Sequence, residues 1–164
     1  MDLITNLKID LMLSESFRNE LGPNIKGKCY ENIYNIIGAH LEENRVYRDL
    51  EVAYGYTGIP TECMVRHCFL VLNRNKVIDP TLSWEKDNKI EYHIFKLLNV
   101  KEYVQLLSKF YETNATDNSP IMAGIIPEEK DYCDYLINHE IKIDTNSYND
   151  FMKQYDEYGR VHTI

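Results

Sequence analysis

Three residues have the types and spacing for nucleophilic chemistry: Cys29, His67 and Asp79. Cys29 stands where the loop "LGPNIKGK" (21–28) meets "CYENIYNIIGAHL" (29–41). In the second segment Ile33, Ile36, Ile37 and Leu41 fall near one helical stripe. The first N–H groups of a helix are unpaired, and its dipole is positive there. Both favour a thiolate, the nucleophilic form of cysteine. Cys29 lies on the same stripe, so its sulfur should turn toward packed structure rather than bulk water.

A sulfur nucleophile needs a base, and the base needs a group that orients it. "HCFLVLNRNKVIDPTL" (67–82) reads as two short apolar strands around a polar turn. With Asn73, Arg74 and Asn75 as a three-residue loop, Leu72 faces Lys76, Val71 faces Val77 and Phe69 faces Asp79. Asparagine tolerates the left-handed backbone that such a loop needs. His67 and Asp79 then become diagonal neighbours on one face, with Cβ atoms about 7 Å apart. A two-residue loop would send them to opposite faces. Val71 and Val77 line the His67 face, and Cys68, Leu70, Leu72 and Ile78 line the other. Both faces are apolar, so the hairpin should be central and covered on both sides.

Each residue alone has an ordinary structural explanation. Free cysteines are common in cores, a lone histidine is often structural, and Asp before Pro opens many turns. The three together suggest a carboxylate-steadied imidazole serving a sulfur. Metal binding by Cys63, His67 and Cys68, with Cys29 as a fourth ligand, competes poorly. Adjacent strand residues point to opposite faces, and structural zinc sites usually have paired cysteine spacing. No metal and no cofactor is therefore expected. His40, His93, His139 and His162 show no ligand spacing and are expected at the surface or at helix ends.

The elements that must position the three residues follow from periodicity and punctuation. Residues 2–13, with Leu3, Ile4, Leu7 and Leu11, predict an amphipathic helix. Strands are expected at 50–58, 65–72, 76–79 and 90–98. Asn99 with Glu102 forms a capping-box start for a helix to about Phe110. Pro127 followed by two glutamates opens another, and Thr145 or Asn146 caps a last one through Tyr158. Central strands joined by tight turns and flanked by helices imply α+β with an antiparallel sheet.

At 164 residues the chain suits one domain (1–164), with a core at about 20–98 and a helical part at about 99–164. Its net charge of −8 and the lack of a Lys/Arg cluster argue against a nucleic-acid partner. The N-terminus carries Asp2, Lys8 and Asp10, unlike a leader peptide, and no apolar run is long enough to span a membrane. The expectation is a soluble, cytoplasmic protein with four free thiols. Most of the thirteen tyrosines are ascribed to composition and core packing.

"GKCYENIYNII", "LEVAYGYTGIP" and "HCFLVLNRNKVIDPTL" together resemble the transglutaminase-like branch of the papain-like cysteine enzymes. The resemblance covers about residues 25–83, and Tyr30 stands where many members carry Trp beside the nucleophile. It implies a papain-like fold, with the Cys29 helix packed on an antiparallel sheet bearing His67 and Asp79. It also implies acyl transfer through a thioester, toward a protein or peptide substrate carrying an amide. The outcome is amide hydrolysis, deamidation or transamidation. Cys29 N–H is one oxyanion donor, Asn24 is the nearest upstream side-chain amide, and Tyr30, Tyr54 and Tyr56 are the aromatic alternatives. The competing expectations are an arylamine N-acetyltransferase-like enzyme, a non-catalytic papain-like binding module, or an adaptor working through its helical C-terminal part.

Overall fold

The computed structural model describes residues 7–43, 49–82, 90–113 and 127–144. The helix expected from Thr145 to Tyr158 lies outside them. The fold is α+β. In chain order the elements are β1 (Lys8–Ile9), α1 (Leu11–Leu21), α2 (Cys29–Glu42), β2 (Leu50–Ile59), β3 (Cys63–Leu72), β4 (Lys76–Ile78), β5 (Glu91–Asn99), α3 (Val100–Thr113) and α4 (Pro127–Asn138). The sheet order is β1-β4-β3-β2-β5.

Two expectations need correction. Of the helix expected over 2–13, residues 2–6 lie outside the described residues, Lys8 and Ile9 are a strand, and a helix begins only at Leu11. Asp10 has an extended backbone, and its carboxylate accepts from Leu13 N–H at 3.1 Å, which makes it the N-cap. The residues just before it, Lys8 and Ile9, pair instead with Lys76 and Val77. That pairing is parallel, so the sheet is mixed rather than antiparallel. A two-residue strand has no periodicity of its own, and only its distant partner reveals it.

The hairpin has the three-residue register. Leu72 pairs with Lys76, Val71 with Val77 and Leu70 with Ile78. Asn73 and Arg74 both adopt positive φ, 53° and 56°, which turns the chain within that loop. Strand β2 runs antiparallel along the whole of β3, from Leu50–Leu72 to Ile59–Cys63. Its other neighbour, β5, bulges where Tyr54 pairs with Lys96 but Gly55 pairs with Ile94. A Cβ at Gly55 would collide with the His93 carbonyl, so only glycine admits that approach.

The sheet buries both faces, as the apolar hairpin required. On one face Cys29, Ile33, Ile36 and Ile37 of α2 pack with Tyr54, Tyr56, Cys68, Leu70 and Ile78. Tyr103 and Leu107 of α3, and Tyr132, Cys133 and Leu136 of α4, join the same cluster. The C-terminal helices therefore complete the core that holds Cys29. Each fully buried isoleucine of α2 contributes about 1.5–3 kcal/mol by leaving water. On the other face Ala53, Phe69, Val71, Val77, Tyr92 and Ile94 form a smaller cluster, flanked by Leu7 and Ile9. The capping box at Asn99 forms reciprocally, with both hydrogen bonds at 2.9 Å. No helix among the described residues is long and apolar enough to cross a membrane.

Candidate active site

Cys29 is the first residue of α2, and the preceding Lys28 gives no side-chain cap. The first-turn N–H groups are therefore not claimed by the residue that usually claims them. His67 lies on β3, in the stretch beyond the last pair with β4, because β4 stops at Ile78. Asp79 is the next residue after that stop. The early end of β4 thus opens the margin of β3, and α2 packs against that strand.

The three side chains meet there. His67 Nε2 lies 2.8 Å from Asp79 Oδ2. The Cys29 side chain is close enough to act on the same ring electrostatically. With Nε2 committed to Asp79, Nδ1 is the nitrogen left for sulfur. Cys29 is 8% exposed and His67 4%, and Asp79 is fully buried. Burial pulls the His67 pKa down, but the charge and hydrogen bond of Asp79, with a smaller contribution from Cys29, outweigh it and raise the pKa to about 10. The ring therefore carries its proton at neutral pH.

Asp79 is held at every oxygen. Oδ1 accepts from the backbone N–H groups of Thr81 at 3.0 Å and Leu82 at 3.1 Å. Oδ2 also accepts from the Tyr92 hydroxyl at 3.1 Å. The backbone N–H of Asp79 donates to Ser14 Oγ of α1 at 2.9 Å. Asn32 Nδ2 donates to Ile25 O and to Thr81 Oγ1, both at 2.9 Å. Asn32 thereby ties the loop before Cys29 to the turn after Asp79.

A second polar cluster lies beneath Cys29 on the α2 face of the sheet. Arg66 grips the fully buried Glu129 of α4 with two bonds, Nε–Oε1 at 2.7 Å and Nη2–Oε2 at 3.0 Å. Its Nη1 donates to Tyr30 Oη at 2.5 Å. Burial works against the guanidinium charge, but Tyr30 and Glu129 outweigh it and hold the pKa above its usual value. Tyr56 donates to Glu129 Oε1 at 3.0 Å.

Among the weaker sequence candidates, Tyr30 is bound to Arg66, and Tyr56 is spent on Glu129. Tyr54 is buried beside the Tyr30 ring at 6.0 Å between centroids. Asn24 is exposed, and Ile25 is the loop residue turned inward. His40, expected at the surface or at a helix end, lies in the last turn of α2 but is buried against Phe17 and bonded to Glu20 at 3.1 Å. Cys63 is exposed while Cys68 is buried, and no group of three or more possible metal ligands occurs among the described residues.

Sequence reasoning missed Ser14, Asn32, Tyr92 and the Arg66–Glu129 pair. For Asn32 a signal existed: it is a polar residue one helical turn after Cys29, beside the apolar stripe. Tyr92 and Glu129 had none, because strand order and helix docking bring them in. No family model, no curated protein and no solved structure matches the chain.

Proposed function

We propose that this chain is a cysteine-dependent acyl-transfer enzyme of the transglutaminase-like, papain-like type. One observation carries the proposal: a single buried imidazole is bonded to the Asp79 carboxylate and lies within electrostatic reach of Cys29 at the start of α2. A protonated ring beside sulfur stabilises negative charge on it. The proton thus resides on His67 before substrate arrives, and the ring's first act is as an acid.

In the proposed cycle the Cys29 sulfur attacks an amide carbonyl carbon. The C–S bond forms as the carbonyl electrons move to oxygen. The oxyanion accepts from the Cys29 N–H at the start of α2. The C–N bond then breaks, and His67 delivers its proton to the departing amine. The thioester that remains is attacked by water or an amine, from which the now neutral His67 takes a proton. Asp79, with four donors fixing it, keeps the ring in the tautomer and orientation this requires.

The low exposure of Cys29 favours a second possibility, a papain-like shell that binds without turnover. Intact-mass analysis with a panel of amide and thioester probes decides between them. A covalent adduct on the native protein, absent from Cys29→Ala, is the expected result. Native protein that gains no mass with any probe, and whose Cys29 takes up no iodoacetamide by peptide mapping while the exposed Cys63 does, speaks for the shell.

A further inference from the structure

Cys29 and His67 approach the margin of β3 from different sides. Cys29 belongs to the cluster that holds Cys68, Leu70 and Ile78. His67 lies against Phe69, with ring centroids 6.0 Å apart, on the side of Val77 and Tyr92. The rotation of α2 about its own axis therefore decides how the sulfur faces the ring. Successive residues of a helix are about 100° apart, so fixing one side chain fixes the direction of its neighbour.

Tyr30, the neighbour of Cys29, is fixed. Its hydroxyl accepts from Arg66 Nη1 at 2.5 Å, and the guanidinium carbon lies 5.2 Å from the centre of its ring. Arg66 is the neighbour of His67, and alternation along β3 sends it to the α2 side. Both oxygens of Glu129 hold the guanidinium from α4, at 2.7 and 3.0 Å, and Tyr56 donates to the same carboxylate. One hydrogen bond thus joins the residue after the sulfur to the residue before the ring, and its planar donor is anchored at two other points. The ionisable side chains that feel Cys29 include His67 and Cys68 of β3 and Tyr30 of α2. Arg66 is paired with Glu129, and Lys28 with Glu31 at 3.5 Å.

We infer that Arg66 is a positioning residue for the nucleophile: through Tyr30 it sets the rotation of α2 that aims the Cys29 sulfur at the His67 ring, and α4 takes part by holding Arg66 through Glu129. The inference rests on Cys29 being the nucleophile, and the test separates the two. The quantity measured is the iodoacetamide rate at Cys29 by peptide mapping, as the ratio of the rate at about pH 6 to that at about pH 9.5. An ordinary thiol, with a pKa near 8.5, is almost wholly protonated at the lower pH, so a high ratio reports a sulfur assisted by the ring. A change in access alone scales both rates alike and leaves the ratio as it was. The exposed Cys63 supplies the ordinary ratio within the same protein, and slow labelling of the buried Cys133 shows that α4 is docked.

Tyr30→Phe removes one hydroxyl and leaves the Arg66–Glu129 pair in place. Arg66→Lys keeps the charge but not the planar fork. Each is expected to lower the Cys29 ratio about tenfold, and the double variant to lower it no further, because both cut the same bond. Each single variant reads that bond, so a loss of Cys133 protection in one leaves the other to decide. A native ratio in the variant that keeps Cys133 protected overturns the positioning role and leaves the nucleophile standing. Single effects that multiply in the double variant also overturn it, since they then act by separate routes. A Cys29 ratio in the native protein no higher than that of Cys63 removes the nucleophile and this role together.

Discussion

His67 Nε2 and Asp79 Oδ2 are 2.8 Å apart across the two arms of one hairpin, and both groups are buried. The contact exists because the loop between the arms holds three residues. Removing the charge while keeping the shape tests what it does. Asp79→Asn should slow alkylation of Cys29 near neutral pH by at least about tenfold, since the ring loses the partner that orients and charges it. The measurement is the iodoacetamide rate at Cys29 by peptide mapping, with Cys133 as internal reference. Burial pushes the Cys133 thiol up to about 11, so it should react slowly in both proteins.

The raised pKa of His67 also makes stability depend on pH. The ordinary histidine value is 6.5, and the folded value is about 10. Between these limits the folded state holds a proton that the unfolded state has released. The contribution is therefore complete below pH 6.5 and is lost as pH rises through 10. Urea midpoints should fall across that window in the native protein, and the fall should flatten in His67→Gln. An identical slope in the two proteins would show that another group is responsible.

Tyr92 reaches Asp79 from β5, on the far side of β2. Tyr92→Phe keeps the ring in its edge contact with Phe69 at 4.9 Å and removes only the hydroxyl. The loss of a hydrogen bond to a charged group should cost about 1.5–3 kcal/mol in chemical denaturation. Oδ2 then serves His67 alone, so the imidazole titration followed by NMR should move to higher pH. A midpoint that stays put would mean that the hydroxyl does not tune the pair.

Arg66 and Glu129 are both deeply buried, so each depends on the other. Arg66→Met leaves an unpaired buried carboxylate and should destabilise by about 3–5 kcal/mol. Combining it with Glu129→Leu should recover part of that loss, because no unpaired charge stays buried although the Tyr30 and Tyr56 hydroxyls lose these partners. Denaturation of the two single variants and the double variant gives the coupling directly. If the double variant loses as much as the two singles added together, the ion pair is not what links α4 to β3.

What was legible before any coordinates was local. The α2 stripe, the Asn99–Glu102 box, the Pro127 start and the register of the 67–82 hairpin each depend on residues close along the chain. Turn length and side-chain alternation are short-range constraints, so Phe69, Val71 and Val77 fell on the predicted face. The helical spacing did not carry through Lys8 and Ile9, which pair with β4, and the cap at Asp10 starts the helix at Leu11 instead.

The amino-acid order alone pointed to a helix opening on Cys29 and, for a three-residue loop, to His67 and Asp79 sharing one side of a hairpin, since backbone periodicity and side-chain alternation are local physics; the structure supplied the loop length. Only the tertiary structure decided that the helix start would meet the open margin of β3. It also brought Ser14, Asn32 and Tyr92 around the carboxylate from three other elements, and set Glu129 against Arg66. Those partners are far apart in sequence and come together because the apolar faces of the helices and the sheet must be buried together. No spacing along the chain encodes which polar groups that burial carries with it.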